Sequence, residues 1–185
     1  MKKILYHGSL SNFEKFDVSF LWKNISDLLS NLWFHFTEDK NLAERLFSVD
    51  YNNIDTIGYL YTVEVDVFWE IEVRESELVL DMLSFGVENW LVTKTFFNRI
   101  KNLHYWDSFW HNSIIHKLYN NWKRKTSPNY IDKQNLALHY RDYLIKQGIN
   151  VIKYKNEIEW SEDNRYDYII LNTKDIKIIK KDIIK

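Results

Sequence analysis

The chain reads as an α+β domain, and three observations predict that class. Residues 59–67 alternate Val63, Val65 and Val67 with Thr62, Glu64 and Asp66, the period-two pattern of a strand with one buried and one wet face. Short strand-like runs stand at both ends of the chain. Between them, from about 75 to 147, the chain reads as several helices. Strand, helix, strand, a helical block and then strands is the order of an α+β fold with a mixed or antiparallel sheet. A length of 185 residues suits one domain spanning 1–185, with a helical insertion at about 75–147.

In order, residues 4–7 predict a short strand ending in Gly8-Ser9, and residues 32–37 a second one. Glu38-Asp39 then place negative charge in the first turn of a helix, against the positive end of its dipole. Leu42, Ala43, Leu46 and Phe47 give that helix an apolar face. In the last helix of the insertion Leu136, Tyr140, Tyr143 and Leu144 mark the inner face, and Gly148 is placed to cap it. Residues 151–155, a polar loop through Asn164, residues 166–171 and residues 176–179 supply the closing strands.

Composition excludes several classes. There is no cysteine, so disulfides, thiolate catalysis and cysteine-based zinc sites are ruled out. His111 and His116 are five apart and miss the four-residue spacing of a helical zinc motif, so no metal site is expected. A net charge of −1 gives no global field toward nucleic acid or anionic membranes. No run of about 18 apolar residues occurs, which predicts no membrane span. The N-terminus reads as a first strand rather than a signal peptide, and the expected location is cytoplasmic, in a producing or a target cell.

Three segments can carry chemistry. In Leu5-Tyr6-His7-Gly8-Ser9, a histidine at a strand end precedes a glycine that lets backbone approach a ligand; the imidazole can donate to a ribose hydroxyl and Gly8 can meet a planar amide. The bland reading is a strand-to-turn junction with a surface histidine. In Leu32-Trp33-Phe34-His35-Phe36-Thr37, strand geometry puts Trp33, His35 and Thr37 on one face and Phe34 and Phe36 on the other. A histidine so flanked reads, taken alone, as a satisfied strand residue. In the C-terminal run Asp167 lies among Tyr and Ile, either an exposed edge charge or an acceptor pointed into a cleft, while Glu157 and Glu159 stand in or beside the polar loop.

Taken together and in this order, the segments resemble the ADP-ribosyltransferase superfamily, in its diphtheria-toxin and poly-ADP-ribose-polymerase branch. Leu5-Tyr6-His7-Gly8-Ser9 looks like the first-strand motif. Phe34-His35-Phe36-Thr37-Glu38 with Ala43 looks like the second. Tyr154-Lys155-Asn156-Glu157-Ile158-Glu159 and Tyr168-Ile169-Ile170-Leu171-Asn172 are similar to the closing strands of phage-encoded and polymorphic-toxin members. The resemblance implies a split β-sandwich holding NAD as co-substrate, with no metal. It assigns His7 to the ribose, Gly8 to the nicotinamide amide, Ser9 to support of that loop, with Tyr6 and Thr37 beside them. His35 falls where the family generally has a tyrosine that stacks on nicotinamide, and Ala43, with Phe47 one turn on, falls near the amide. The acid is Asp167, Glu157 or Glu159. The expected function is mono-ADP-ribosylation of a protein or nucleic acid by a toxin or phage-related effector, with a cognate antitoxin or immunity protein as a further partner. The sequence departs from the family at Trp33 or Phe34, where it usually has glycine, and at His35. The two histidines also resemble RNA 2′-phosphotransferases, and a catalytically inactive binding module of the same fold is the third reading.

From 86 to 128 the chain carries seven basic residues against two acidic ones, interleaved with Trp90, Trp106, Trp110 and Trp122. Cations among aromatic rings suit single-stranded nucleic acid, where rings stack and cations meet phosphate. Arg99, Lys123, Arg124 and Lys125 are the candidate acceptor contacts. A helical bundle with aromatic inner faces and solvated Lys and Arg is the bland alternative.

Overall fold

The computed structural model describes residues 1–17, 29, 32–49, 57–104, 133–155 and 165–184. Among these, seven strands and four helices follow one another: β1 (Lys2–Ser9), β2 (Phe34–Thr37), α1 (Lys40–Val49), β3 (Gly58–Asp66), β4 (Glu70–Arg74), α2 (Glu75–Glu88), α3 (Lys94–His104), α4 (Lys133–Lys146), β5 (Val151–Lys155), β6 (Tyr166–Ile170) and β7 (Ile176–Ile184). The α+β class and the helical block between strands are as expected. Within the described part of that block no helix is long and apolar enough to cross a membrane.

The strands form one sheet in the order β4-β5-β6-β2-β1-β3-β7. β4 and β5 run parallel and every other neighbour is antiparallel, so the sheet is mixed. β4 has no counterpart among the strands expected from the sequence. Its partner lies some eighty residues away, and five residues with three charges carry little signal of their own. β7 runs five residues further than expected, and it bulges around Ile179 where the register slips between Thr62 and Val63.

The junction between β1 and β2 shapes the fold. β1 pairs with β3 from Lys2 to Ser9, yet it meets β2 at one position, Tyr6 opposite Thr37. In a flat sheet β1 and β4 would stand about 19 Å apart, four strand spacings. Lys3 Nζ on β1 nevertheless lies 2.9 Å from Glu70 Oε2 on β4 and 3.3 Å from Tyr168 Oη on β6. The sheet therefore folds over itself at that single-pair junction. Leu5, Tyr61, Val63 and Val65 from one half join Phe34, Phe36, Tyr168 and Ile170 from the other in one core.

Asn150 pins the opposite end of the fold. Its Nδ2 donates to the Asp66 carbonyl at 2.7 Å and to Asp175 Oδ2 at 3.0 Å, while Oδ1 accepts from Phe68 N at 3.0 Å and Trp69 N at 3.2 Å. Helices α2, α3 and α4 complete the core through Met82, Leu83, Phe96, Ile100, Leu136, Tyr140 and Leu144. Tyr140 donates to Asp81 Oδ2 at 2.5 Å and ties α4 to α2. Tyr143, expected on the inner face of α4, is 43% exposed and packs at the rim beside Phe85 instead. Gly148 takes the left-handed conformation (φ 87°) that ends α4, as its predicted capping role requires.

Candidate functional site

β1 delivers His7 to the inside of the folded sheet. The ring stands 5.4 Å from Phe16 and Phe36 and 6.4 Å from Phe13, Phe34 and Tyr61, centroid to centroid, so five aromatic rings surround it. Its Nδ1 lies 2.7 Å from the His35 carbonyl. A carbonyl only accepts, so Nδ1 carries the proton and Nε2 is left an acceptor with no partner among the described residues. That tautomer reverses the donor role expected from sequence. Burial pushes the imidazole down to about 4, the His35 carbonyl bond opposes this, and the nearby His35 ring adds to it. His7 is thus neutral near pH 7, and it bridges strands where the backbone ladder has opened.

The chain past β1 closes over this ring. Ser9 Oγ accepts from Ser11 N at 3.1 Å. Tyr61 Oη donates to the Ser11 carbonyl at 2.8 Å and accepts from Phe13 N at 2.9 Å. Phe13 stacks on Tyr61 at 4.1 Å, and Phe16, 5% exposed, fits edge-on against His7 and Phe34. Lys181 Nζ on β7 holds the strap from outside through Asn12 Oδ1 at 2.9 Å and the Glu14 carboxylate.

His35 faces the other way. Phe34 and Phe36 turn toward His7, so alternation along β2 sends His35 and Thr37 to the opposite face. There Nε2 donates to the Leu29 carbonyl at 2.9 Å and Nδ1 accepts from Tyr154 Oη at 3.0 Å. Both nitrogens are engaged, and the residue ties β2 to β5 and to the Leu29 backbone. Asp167 pairs with Thr37 across β2–β6 and with Tyr154 across β5–β6, so it shares the His35 face. At 7% exposure on an interior strand it is not an edge charge. The two imidazoles expected to converge are therefore divided by β2, with Asp167 on the side of His35.

The remaining expected residues fall as follows. Tyr6 and Gly8 lie in β1, and Gly8 keeps ordinary extended backbone opposite Leu60. Thr37 Oγ1 accepts from Asp39 N at 3.2 Å. Glu38 and Asp39 stand just ahead of α1 rather than in its first turn; Asp39 Oδ1 caps the helix by accepting from Leu42 N at 3.1 Å. Ala43 is buried in α1, and Phe47 occupies a position on that helix. Arg99 is exposed on α3. Glu157, Glu159, Lys123, Arg124 and Lys125 lie outside the described residues.

One cluster was missed. Lys3 Nζ sits 4.5 Å over the Tyr168 ring and 2.9 Å from Glu70, and Tyr168 donates to Glu38 Oε1 at 2.5 Å. Beside it Lys153 pairs with Glu72 at 2.7 Å and lies 3.9 Å over the Tyr166 ring. A shallow depression of about 290 Å³ opens nearby, lined by Glu72, Val73, Arg74, Glu77, Lys155 and Tyr166. It sits at the β4 edge, away from His7. No local sequence signal marks these groups, because only folding of the sheet brings Lys3 to Glu70. Comparison with family models, with curated proteins and with solved structures finds no match for this chain.

Proposed function

We propose that the chain is an NAD-consuming mono-ADP-ribosyltransferase, a toxin or phage-related effector acting on a protein or nucleic acid. The observation that carries this reading is the one-pair junction between β1 and β2, with Tyr6-His7-Gly8-Ser9 at the opening. A split sheet with this motif at its mouth is what the family resemblance implies. In this reading His7 Nε2 accepts from a ribose hydroxyl, and the Gly8 backbone, past the last β1–β2 pair, meets the nicotinamide amide. The glycosidic bond breaks with its electron pair going to the pyridinium nitrogen. Neutral nicotinamide leaves, and the acceptor nucleophile or water takes the ribose carbon. A carboxylate beside the ring stabilises the positive charge that develops there. Because Asp167 lies across β2 from His7, the reading favours Glu157 or Glu159 for that task. Phe16 must swing out before a planar ring can lie against His7.

The competing reading is a binding module without turnover. Two observations favour it: His35 spends both nitrogens internally, and Phe16 fills the space beside His7. Nicotinamide release from NAD, followed by chromatography, separates the two. Turnover is expected to fall by at least about a hundredfold in His7→Ala and in one of Glu157→Gln or Glu159→Gln, with Asp167→Asn milder. Undiminished release by His7→Ala refutes the assignment of His7. No release by the wild-type chain, together with no heat on titration with NAD, favours the binding module.

A further inference from the structure

The turn between α2 and α3 holds a residue that its backbone does not want. α2 ends with Leu91 N donating to the Gly86 carbonyl at 2.8 Å and Trp90 N to the Val87 carbonyl at 3.3 Å, the paired bonds of a Schellman cap. The residue at the left-handed position of that cap is ordinarily glycine. Here it is Trp90, at φ 61°. For a bulky side chain this conformation is a strained outlier. The strain gains no packing in return, since Trp90 is 91% exposed.

The helix that follows Trp90 selects a partner. α3 begins four residues on, buries Phe96 and Ile100, and leaves Lys94, Thr95, Asn98, Arg99, Lys101 and Asn102 exposed. It contains Lys94, Arg99 and Lys101 and no acidic residue, and Glu88 is the one acid between 86 and 104. An uncovered indole four residues ahead of a cationic, amide-bearing helix offers a stacking face and phosphate contacts together. Protein interfaces deplete lysine around their aromatic anchors, and duplex bases are already stacked.

We infer that Trp90 and the exposed face of α3 bind single-stranded nucleic acid, with Trp90 as a base-stacking platform. This does not depend on the NAD reading, because it concerns binding alone. The test uses the full chain and short fluorescein-labelled mixed-sequence DNA and RNA single strands, with matching duplexes, read by anisotropy at low and moderate salt. Single strands bind more tightly than duplex, and affinity falls steeply with salt. Trp90→Gly weakens binding at least about tenfold while raising the melting temperature. Trp90→Phe keeps most of the affinity, and Lys94→Glu with Lys101→Glu reduces it. Absent single-strand binding at low salt, equal affinity for duplex, or unchanged affinity in Trp90→Gly overturns the inference. So does Trp90-dependent self-association in sedimentation without single-strand binding.

Discussion

Acidification isolates the part that His7 plays in holding the split sheet together. The imidazole is depressed from 6.5 to about 4 in the folded chain, chiefly by burial. The unfolded chain therefore binds the extra proton first, between these two values. Stability from this group is fully present above pH 6.5, declines as pH falls, and levels off below about pH 4. Lowering the pH from 7 to 5 removes about 2 kcal/mol through His7 alone, and the full linkage is about 3 kcal/mol. Partial exposure of the residue screens the charge and reduces both figures. Urea unfolding of the wild type and of His7→Gln at pH 7 and pH 5 measures the effect. The wild type is expected to lose more stability on acidification than the variant, by up to that amount. An identical pH dependence in both chains, or a folded-state His7 titrating near 6.5 by NMR, refutes the account of a neutral, ring-enclosed imidazole.

Two further substitutions probe the frame. Asn150→Ala strands the Phe68 and Trp69 N–H groups and the Asp66 carbonyl in a half-buried turn, and it is expected to cost about 3 kcal/mol in denaturant unfolding. Gly86→Ala places a Cβ 2.5 Å from Val92 Cγ2 and 2.8 Å from Leu136 Cδ1. The helix-propensity gain of about 1 kcal/mol is outweighed by overpacking, so a net loss of about 1–2 kcal/mol is expected by thermal unfolding.

The candidate site was partly legible in the chain. Period-two alternation correctly separated Phe34 and Phe36 from His35, because a strand's side chains have no other choice of face. The same rule, once His7 was located among the phenylalanines, put His35 on the far side. Sequence order alone had suggested convergence. Motif proximity carries no face information for strands that meet at one residue pair. Tyr143 was misread because a helical stripe predicts which residues share a side and not how far the neighbouring helix extends over it. Trp90 was legible only as one of several tryptophans in a basic stretch. Its left-handed backbone depends on how α2 terminates.

By itself the chain's pattern determined the α+β class, the β1, β2, β3, β5 and β6 segments, the capping glycine at 148 and the run of helices between strands. These follow from local periodicity and from a single residue's backbone freedom. Only the tertiary structure decided that the sheet folds over at Tyr6–Thr37, that β4 joins it in parallel, and that Lys3 meets Glu70. It likewise decided the protonation pattern of His7. Each of these rests on contacts between residues tens of positions apart, where desolvation and pairing geometry outweigh local preference.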